Sequence, residues 1–433
     1  MIINFSVENF GSIKEKQTLS FLANKSDHLE DYYIIEPIKG LRLNKLALIY
    51  GANASGKTTI LKALDFLRKI CTDPFDKKTE KFDFEPFLFD ENTPNENTKL
   101  ELEFVQNQIR YFYEVELNKN CIVKEKLFNF NPNKAVIFER TTDENKELTS
   151  IKFGSKILKK RHLEENIEIF TLWNNTVIGG FLKGNIDFKP LKSITDWFNT
   201  ILYDALLTSL NPRSAVTNLI EANIINKNMI LKILKKADFN ISNIVIKNTK
   251  KRVPKALIEN SDFLIPTEQG LKMEFLEYGI KEILFTHQVN NKNYDLALEK
   301  ESDGTQRFYD LAGILGLLVF NNCILPIDEL ESSIHPDLFQ HFLLTFLINS
   351  KKSQLIATTH NREILNNRDI FRDDAIWFTD KNEDSATELY SLADFDSSVV
   401  RDTSNVLNAY KSGKLGGVPN LGDYYIDLED GEK

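Results

Sequence analysis

Cysteine is scarce in this chain: Cys71, Cys121 and Cys323 are the only three in 433 residues. They are far apart, odd in number and form no Cys-x-x-Cys pair. That excludes a disulfide framework and a zinc ribbon, and it fits a reducing cytosol, so a cytoplasmic location is expected. Long apolar runs are lacking too. The longest, Leu311 to Phe320, is too short to span a bilayer and is followed at once by Asn321 and Asn322, so no membrane partner is expected. The opening MIINFSVENFGS alternates like a strand and carries acid early, unlike a signal peptide. No internal repeat and no sustained heptad run occurs, which argues against a long coiled-coil arm. A cationic excess is also missing. The 54 Lys and Arg against 63 Asp and Glu leave a net charge of −9, so the whole surface is not built to coat nucleic acid, although a local basic stripe is left open.

What is present is ordinary for a soluble globular protein: 42% apolar and 27% charged residues, enough for a large core. The length suits one large or two smaller domains. Residues 1–7 read as a strand, as do Gln17–Leu22 and the buried run 45–50, KLALIY, which stops at Gly51. Residues 57–72 have helical spacing. Alternation over 98–129, broken at Asn107-Gln108 and Asn118–Asn120, predicts an antiparallel meander. Residues 160–238 read as helical, with one long helix over Thr217–Lys236, and 241–300 return to strands. A helix over Thr305–Phe320, a strand over Cys323–Ile327, a helix over Asp337–Ile348 and a strand over Gln354–Ala357 then alternate as a parallel α/β sheet requires. The acidic tail Asp423–Lys433 is expected to fray.

Residues 51–58, Gly51-Ala52-Asn53-Ala54-Ser55-Gly56-Lys57-Thr58, fit G-x-x-x-x-G-K-[ST] without mismatch. Small residues let backbone N–H groups wrap phosphates, and the following helix points its positive end at the same charge. Lys57 is expected to reach the β/γ-phosphates, Thr58 to hold Mg²⁺ and Thr59 to line the same site. A phosphate loop needs a second metal anchor on a neighbouring strand. The strand before Asp328 supplies it, with Glu329 at the strand tip as base for the attacking water. Pro326 is odd there, because it removes a ladder donor. His360, ending the next strand, is placed to contact the γ-phosphate or orient the water. His335, before Pro336, reads as a helix-entry residue. Ser302-Asp303-Gly304-Thr305, taken alone, reads equally well as a helix cap.

The order of these motifs resembles an ABC/SMC-like ATPase head, with Glu301–Arg307 as a degenerate signature loop. Asn9-Phe10-Gly11-Ser12, Asp328–Pro336, Thr358–Asn361 and the late Tyr410–Pro419 are together similar to the AAA-type ATPases of abortive-infection loci, including PARIS-type phage defence and the overcoming-lysogenization-defect ATPase heads. Glu301 and Asp303 depart from the usual signature Leu and Gly. No glutamine takes the place of a Q-loop: Gln106 and Gln108 read as hairpin-turn residues. About 70 residues follow His360, too few for the Toprim nuclease domain of the overcoming-lysogenization-defect proteins. The resemblance implies an α/β P-loop NTPase of ABC-ATPase type, a mixed sheet with an antiparallel β-subdomain and a helical insertion. It places a first head part at 1–155, the insertion at 156–240 and a second head part at 241–433. It further implies an ATPase using ATP and Mg²⁺, and a head-to-tail homo-oligomer in which Ser302, Gly304 and Thr305 of one copy cover the γ-phosphate held by another. The expected role is an ATP-dependent sensor subunit of a prokaryotic defence system that controls a separate effector protein, such as a Toprim nuclease.

Two basic clusters, Lys156/Lys159/Lys160/Arg161 and Lys247/Lys250/Lys251/Arg252/Lys255, leave nucleic acid as a second class of partner, though solvated charge is the plainer account. An SMC-like DNA-repair ATPase is the alternative; a metabolic P-loop kinase or a transporter ATPase accounts for less of the motif order.

Overall fold

The computed structural model describes residues 1–157, 160–208, 212–254, 275–395 and 406–419. By internal contacts the chain forms two compact units. One comprises Met1–Leu210, Leu318–Ser332 and Leu343–Lys433; the other comprises Asn211–Leu317 and Ser333–Phe342.

The first unit begins with β1 (Ile2–Glu8), whose Ile3, Phe5 and Val7 are buried as their alternation requires, and β2 (Gln17–Ser20). A helical turn, α1 (Glu30–Tyr33), and the small hairpin of β3 (Ile34–Ile38) and β4 (Leu41–Asn44) lead into β5 (Leu46–Gly51) and α2 (Lys57–Thr72). The meander follows as β6 (Thr98–Gln106), β7 (Ile109–Leu117), β8 (Ile122–Phe130), β9 (Lys134–Asp143) and β10 (Leu148–Phe153). With β1 and β2 it makes a seven-stranded antiparallel sheet in the order β10-β9-β8-β7-β6-β1-β2. Asn107 and Gln108, both left-handed (φ 51° and 61°), close the β6–β7 hairpin. The sheet runs two strands beyond the alternation read from sequence. Three helices end this part: α3 (Lys160–Phe170), α4 (Val177–Lys183) and α5 (Lys189–Thr200).

The second unit contains α6 (Arg213–Glu221), α7 (Lys227–Lys236), β11 (Asn243–Pro254), β12 (Phe275–Val289) and β13 (Lys292–Ala297), the strands forming a three-stranded antiparallel sheet. The single helix expected over Thr217–Lys236 is thus two. Asn223 takes a left-handed conformation (φ 57°), and the Asn226 side chain caps α7 by accepting from the Asn228 N–H, so a local turn outcompetes continuous helix. The helices expected as one insertion divide between the units: α3–α5 belong to the first, α6 and α7 to the second. Helix α8 (Asp303–Phe320) follows.

The chain then supplies β14 (Ile324–Ile327), α9 (Pro336–Asn349), β15 (Gln354–Thr358), β16 (Ile376–Lys381), β17 (Thr387–Ser391) and α10 (Val406–Lys411). Strands order as β14-β15-β5-β16-β17, parallel except for β17. Every residue of β5, β14 and β15 is buried, as a covered parallel sheet demands. Pro326 finds its explanation here. β14 is the edge strand, and among the described residues its outer side is hydrogen-bonded by the segment 201–206. Ile324 and Asp328 donate to the Ile201 and Leu206 carbonyls, so the missing donor falls on that side and spares the β14–β15 ladder. The topology brings the carboxyl ends of β5, β14 and β15 to one sheet edge, where open α/β sheets place their ligands.

Candidate phosphate-binding site

Gly51 closes β5 and α2 begins at Lys57, so the loop between them spans a buried strand and a helix N-terminus, as the motif requires. Ala54 and Gly56 are left-handed (φ 62° and 107°). A Cβ on Gly56 would lie 2.1 Å from the Thr387 Oγ1, so only glycine fits there. Asn53 and Ala54 stand exposed at the crest, while Ser55, Gly56 and Lys57 are buried. The Lys57 Nζ donates to the Gly51 and Ala52 carbonyls at 2.9 and 3.0 Å. Burial pushes its pKa down, and the nearby carboxylates of Asp328, Glu329 and Glu331 oppose that shift. The loop is pinned from behind. Ser55 and Thr379 hydroxyls are 2.6 Å apart, Thr387 Oγ1 donates to the Ser55 carbonyl at 2.9 Å, and Ser12 bridges Thr387 and Thr59 at 2.8 and 3.0 Å. Thr379 and Thr387 escaped the sequence analysis because nothing local marks a strand threonine as a loop support. Ser12 carried a signal, in the Asn9–Ser12 stretch.

At the end of β14, Asp328 is buried and takes hydrogen bonds from both neighbouring elements. Thr58 Oγ1 donates at 3.0 and 3.2 Å, and Thr358 Oγ1, from β15, donates at 2.6 Å. Thr358 Oγ1 in turn accepts from the Glu329 N–H at 2.8 Å, which holds the left-handed Glu329 (φ 46°) at the turn. Glu331 accepts the backbone N–H of His360, and its other carboxylate oxygen is buried without a partner. Sequence reasoning gave Glu331 no role. His360 is accessible, yet partial burial and then the Lys57 ammonium push its pKa down, against Glu331, Glu329 and Asp328. Lys57, Thr58, Asp328, Glu329 and His360 are therefore brought together in the first unit, with Glu331 added to them.

The hydroxyl of Thr58 and the carboxylate of Asp328 are hard oxygen donors lying side by side, the donor type that Mg²⁺ takes alongside water and phosphate oxygens. A cleft of about 660 Å³ opens beside the loop, lined among others by Gly11, Thr59, Lys62, Phe66 and Phe84.

Ser302, Gly304 and Thr305 belong to the second unit. Ser302 Oγ accepts from the Thr305 N–H at 3.2 Å and lies 2.8 Å from the Thr305 hydroxyl, so it caps α8. The loop is further tied by Gln306 donating to the Glu301 carbonyl at 2.8 Å, and by His287 Nε2, which is 2.6 Å from the Glu301 carboxylate. A Cβ on Gly304 would make only ordinary contacts, at 3.4 Å to the Ser333 carbonyl and 3.9 Å to Ser302 Oγ. His335, also in this unit, caps α9 by accepting from the Asp337 N–H at 3.2 Å. Of the basic clusters, Lys156 and Lys247 are exposed and Arg161 pairs with Glu165 at 3.2 Å; Lys159, Lys255 and the tail Asp423–Lys433 lie outside the described residues. Among the described residues, no helix is long and apolar enough to cross a membrane.

No curated protein matches the chain. Among solved structures, it is similar to the SMC head domain from Thermotoga maritima, at 13% identity and a TM-score of 0.40, covering 90% of this chain and 98% of that one. An SmcHead bound to the C-winged helix domain of ScpA matches at 12% identity and a TM-score of 0.41, covering 90% and 97%. An Smc head with an extended coiled coil, bound to the C-terminal domain of ScpA derived from Pyrococcus furiosus, matches at 12% identity and 0.39, covering 90% and 96%. One family profile spans residues 46–366, from β5 and the phosphate loop through the His360 turn. With the loop, the acidic strand end and the strands β5, β14 and β15 inside that span, the chain belongs to the P-loop ATPase family described as "AAA domain, putative AbiEii toxin, Type IV TA system".

Proposed function

We propose that the protein binds and hydrolyses ATP as the sensor subunit of a prokaryotic anti-phage defence system, and that it controls a separate effector through an ATP-sandwiched dimer or a multiple of it. The carrying observation is the linked set at the sheet edge: Lys57 cradled by its own loop, and Asp328 bonded to Thr58 and Thr358. In this reading the amides of Asn53–Thr58 wrap the phosphates, Lys57 leaves its carbonyl partners for phosphate oxygens, and Thr59 marks where the nucleoside end turns into the adjoining cleft. Thr58 and Asp328 would hold Mg²⁺, which when bound neutralises phosphate charge. Glu329 accepts the proton of the attacking water, and His360, kept neutral, orients it from the next strand.

The dimer rests on Ser302, Gly304 and Thr305. Among the described residues nothing excludes a side chain at Gly304, as expected of a surface reserved for a phosphate held by a second copy. ATP then acts as glue, and hydrolysis removes the contact. The defence role and the separate effector rest on the family description and on the motifs shared with abortive-infection ATPases. The test is Mg-ATP turnover by the purified protein beside Glu329→Gln, with light scattering of Glu329→Gln with and without ATP. Turnover that collapses in the variant, together with an ATP-driven increase in mass, is the expected result. Equal turnover in both proteins removes Glu329 from the chemistry.

A further inference from the structure

The Tyr410–Pro419 stretch has no part in the reading above, yet it is built into the phosphate site. All of the contacts that follow lie in the first unit. Helix α10 packs on the turn Glu363–Asn366, just past His360, and the Arg362 guanidinium lies 5.8 Å over the Tyr410 ring. The same ring meets Tyr50, of the phosphate-loop strand, edge-on at 5.9 Å, and stacks on Phe378 of β16 at 5.4 Å. Beyond α10 the chain folds back onto Gly51. Tyr410 OH donates to the Gly417 carbonyl and Tyr390 OH to the Leu415 carbonyl, both at 2.9 Å, and Asp380 accepts the Gly417 N–H at 2.8 Å.

Gly416 and Gly417 are left-handed (φ 64° and 63°); Gly416 has no room for a side chain, and one at Gly417 would press on its neighbours. A Cβ on Gly416 would sit 2.2 Å from Tyr390 OH; one on Gly417 would sit 3.2 Å from the Thr379 carbonyl and 3.4 Å from the Gly51 Cα. Four of the loop's amides are already spent within the fold and are not free to cradle an anion. Gly413, Lys414 and Gly416 donate to the Tyr410, Ala409 and Gly413 carbonyls, and Gly417 to Asp380.

We infer that residues 410–417 are a clasp that positions the phosphate loop, with Gly417, Asp380 and Tyr410 as its positioning residues. Gly51 and Ala52 supply the carbonyls that hold the Lys57 ammonium, so whatever displaces Gly51 displaces the lysine. By gripping Gly51 at one end and the turn after His360 at the other, the clasp sets the spacing of the two strand ends that face the phosphates. This rests on the ATP-binding reading.

The test uses the full-length protein and reads Mg-ATP affinity, KM, kcat and the nucleotide-free melting temperature. Gly417→Ala and Asp380→Ala are expected to weaken binding and to lower kcat/KM about tenfold, the cost of a misplacement below an ångström. Asp380→Asn keeps an oxygen acceptor and is expected to restore affinity. Lys414→Ala, exposed on the same loop, is expected to match wild type; an equal loss there would overturn the clasp in favour of a direct charge contact. Should Gly417→Ala fail to fold, Asp380→Ala decides alone. Wild-type affinity in a folded Gly417→Ala or Asp380→Ala protein overturns the inference while leaving the ATP reading standing. A wild-type protein without affinity for Mg-ATP overturns both.

Discussion

Two glycines divide the molecule's candidate chemistry. Gly56, in the first unit, is compelled by its own fold: its φ of 107° and the Thr387 side chain 2.1 Å from any Cβ leave no alternative. Gly304, in the second unit, is compelled by nothing among the described residues, since a Cβ there meets only ordinary contacts. The phosphate loop is likewise a finished assembly, tied from Ser12 through Thr387 to the Ser55 carbonyl and from the Ser55 hydroxyl to Thr379. The Ser302 turn is complete as a helix cap, and a second role for it must come from outside the chain. The phosphate loop thus shows its reasons within one subunit, whereas the trans role proposed for the Ser302 turn has no local reason to show.

The largest test of this contrast is loss of the base. Glu329→Gln is expected to lower turnover by about 10²–10⁴-fold with Mg-ATP binding retained, the usual weight of a positioned acid–base group. Gly304→Asp is expected to abolish most turnover through repulsion of phosphate, while the nucleotide-free melting temperature stays within a degree or two of wild type. Unimpaired turnover in Gly304→Asp would reduce the second region to a cap and break the comparison.

A third test probes the scaffold behind α2. Arg140 and Glu125 are wholly buried 3.9 Å apart, and Glu125 also takes the Tyr113 hydroxyl at 2.7 Å and the Val177 N–H at 2.8 Å. Arg140→Met is expected to cost about 3–5 kcal/mol in denaturant unfolding, because it strands a buried carboxylate. Burial already pushes Glu125 up to about 7. With its folded pKa above the ordinary 4.5, the native state holds the proton more tightly, so this group's contribution to stability falls as pH rises from 4.5 to about 7. Removing Arg140 raises the Glu125 pKa further, so the Arg140→Met deficit is expected to widen as pH rises beyond about 7.

Smaller effects separate cap from contact. Ser302→Ala is expected to lower stability by about 1 kcal/mol as a lost N-cap. A fall in turnover beyond that, recovered by Ser302→Thr, would mark the hydroxyl as a contact to nucleotide. The smallest expected effect is the pH response of His360. Because its pKa is held below the ordinary imidazole value, chiefly by burial, turnover should be level around neutrality and decline only on acidification below that value. A decline already at about pH 7 would place the neutral form elsewhere.

The phosphate loop, the acidic strand end and the His360 strand were legible because each couples a local composition to a local geometry: a buried apolar run, then small or acidic residues at its tip. β5, α2, β14 and β15 fall within a residue or two of their expected bounds. Thr217–Lys236 was misread as one helix because apolar spacing continues across Asn223–Asn226, and spacing does not register a side chain capping the next turn. Strands β16 and β17, which carry Thr379 and Thr387, lay outside the pattern that was read, and Glu331 looked like one more surface acid beside the motif.

The sequence alone determined the chemistry on offer: Gly51–Thr58 before a helix, Asp328-Glu329 after a buried run and His360 after another, since strand, turn and helix N-terminus are settled by neighbours in the chain. Only the tertiary structure decided which groups meet. Strand order set β15 between β5 and β14, so Thr358 could join Thr58 at Asp328, and it folded Gly417 back onto Gly51 from more than three hundred residues away. Hydrogen bonds and close approaches of that kind are fixed by packing in space, and spacing along a chain carries no record of them.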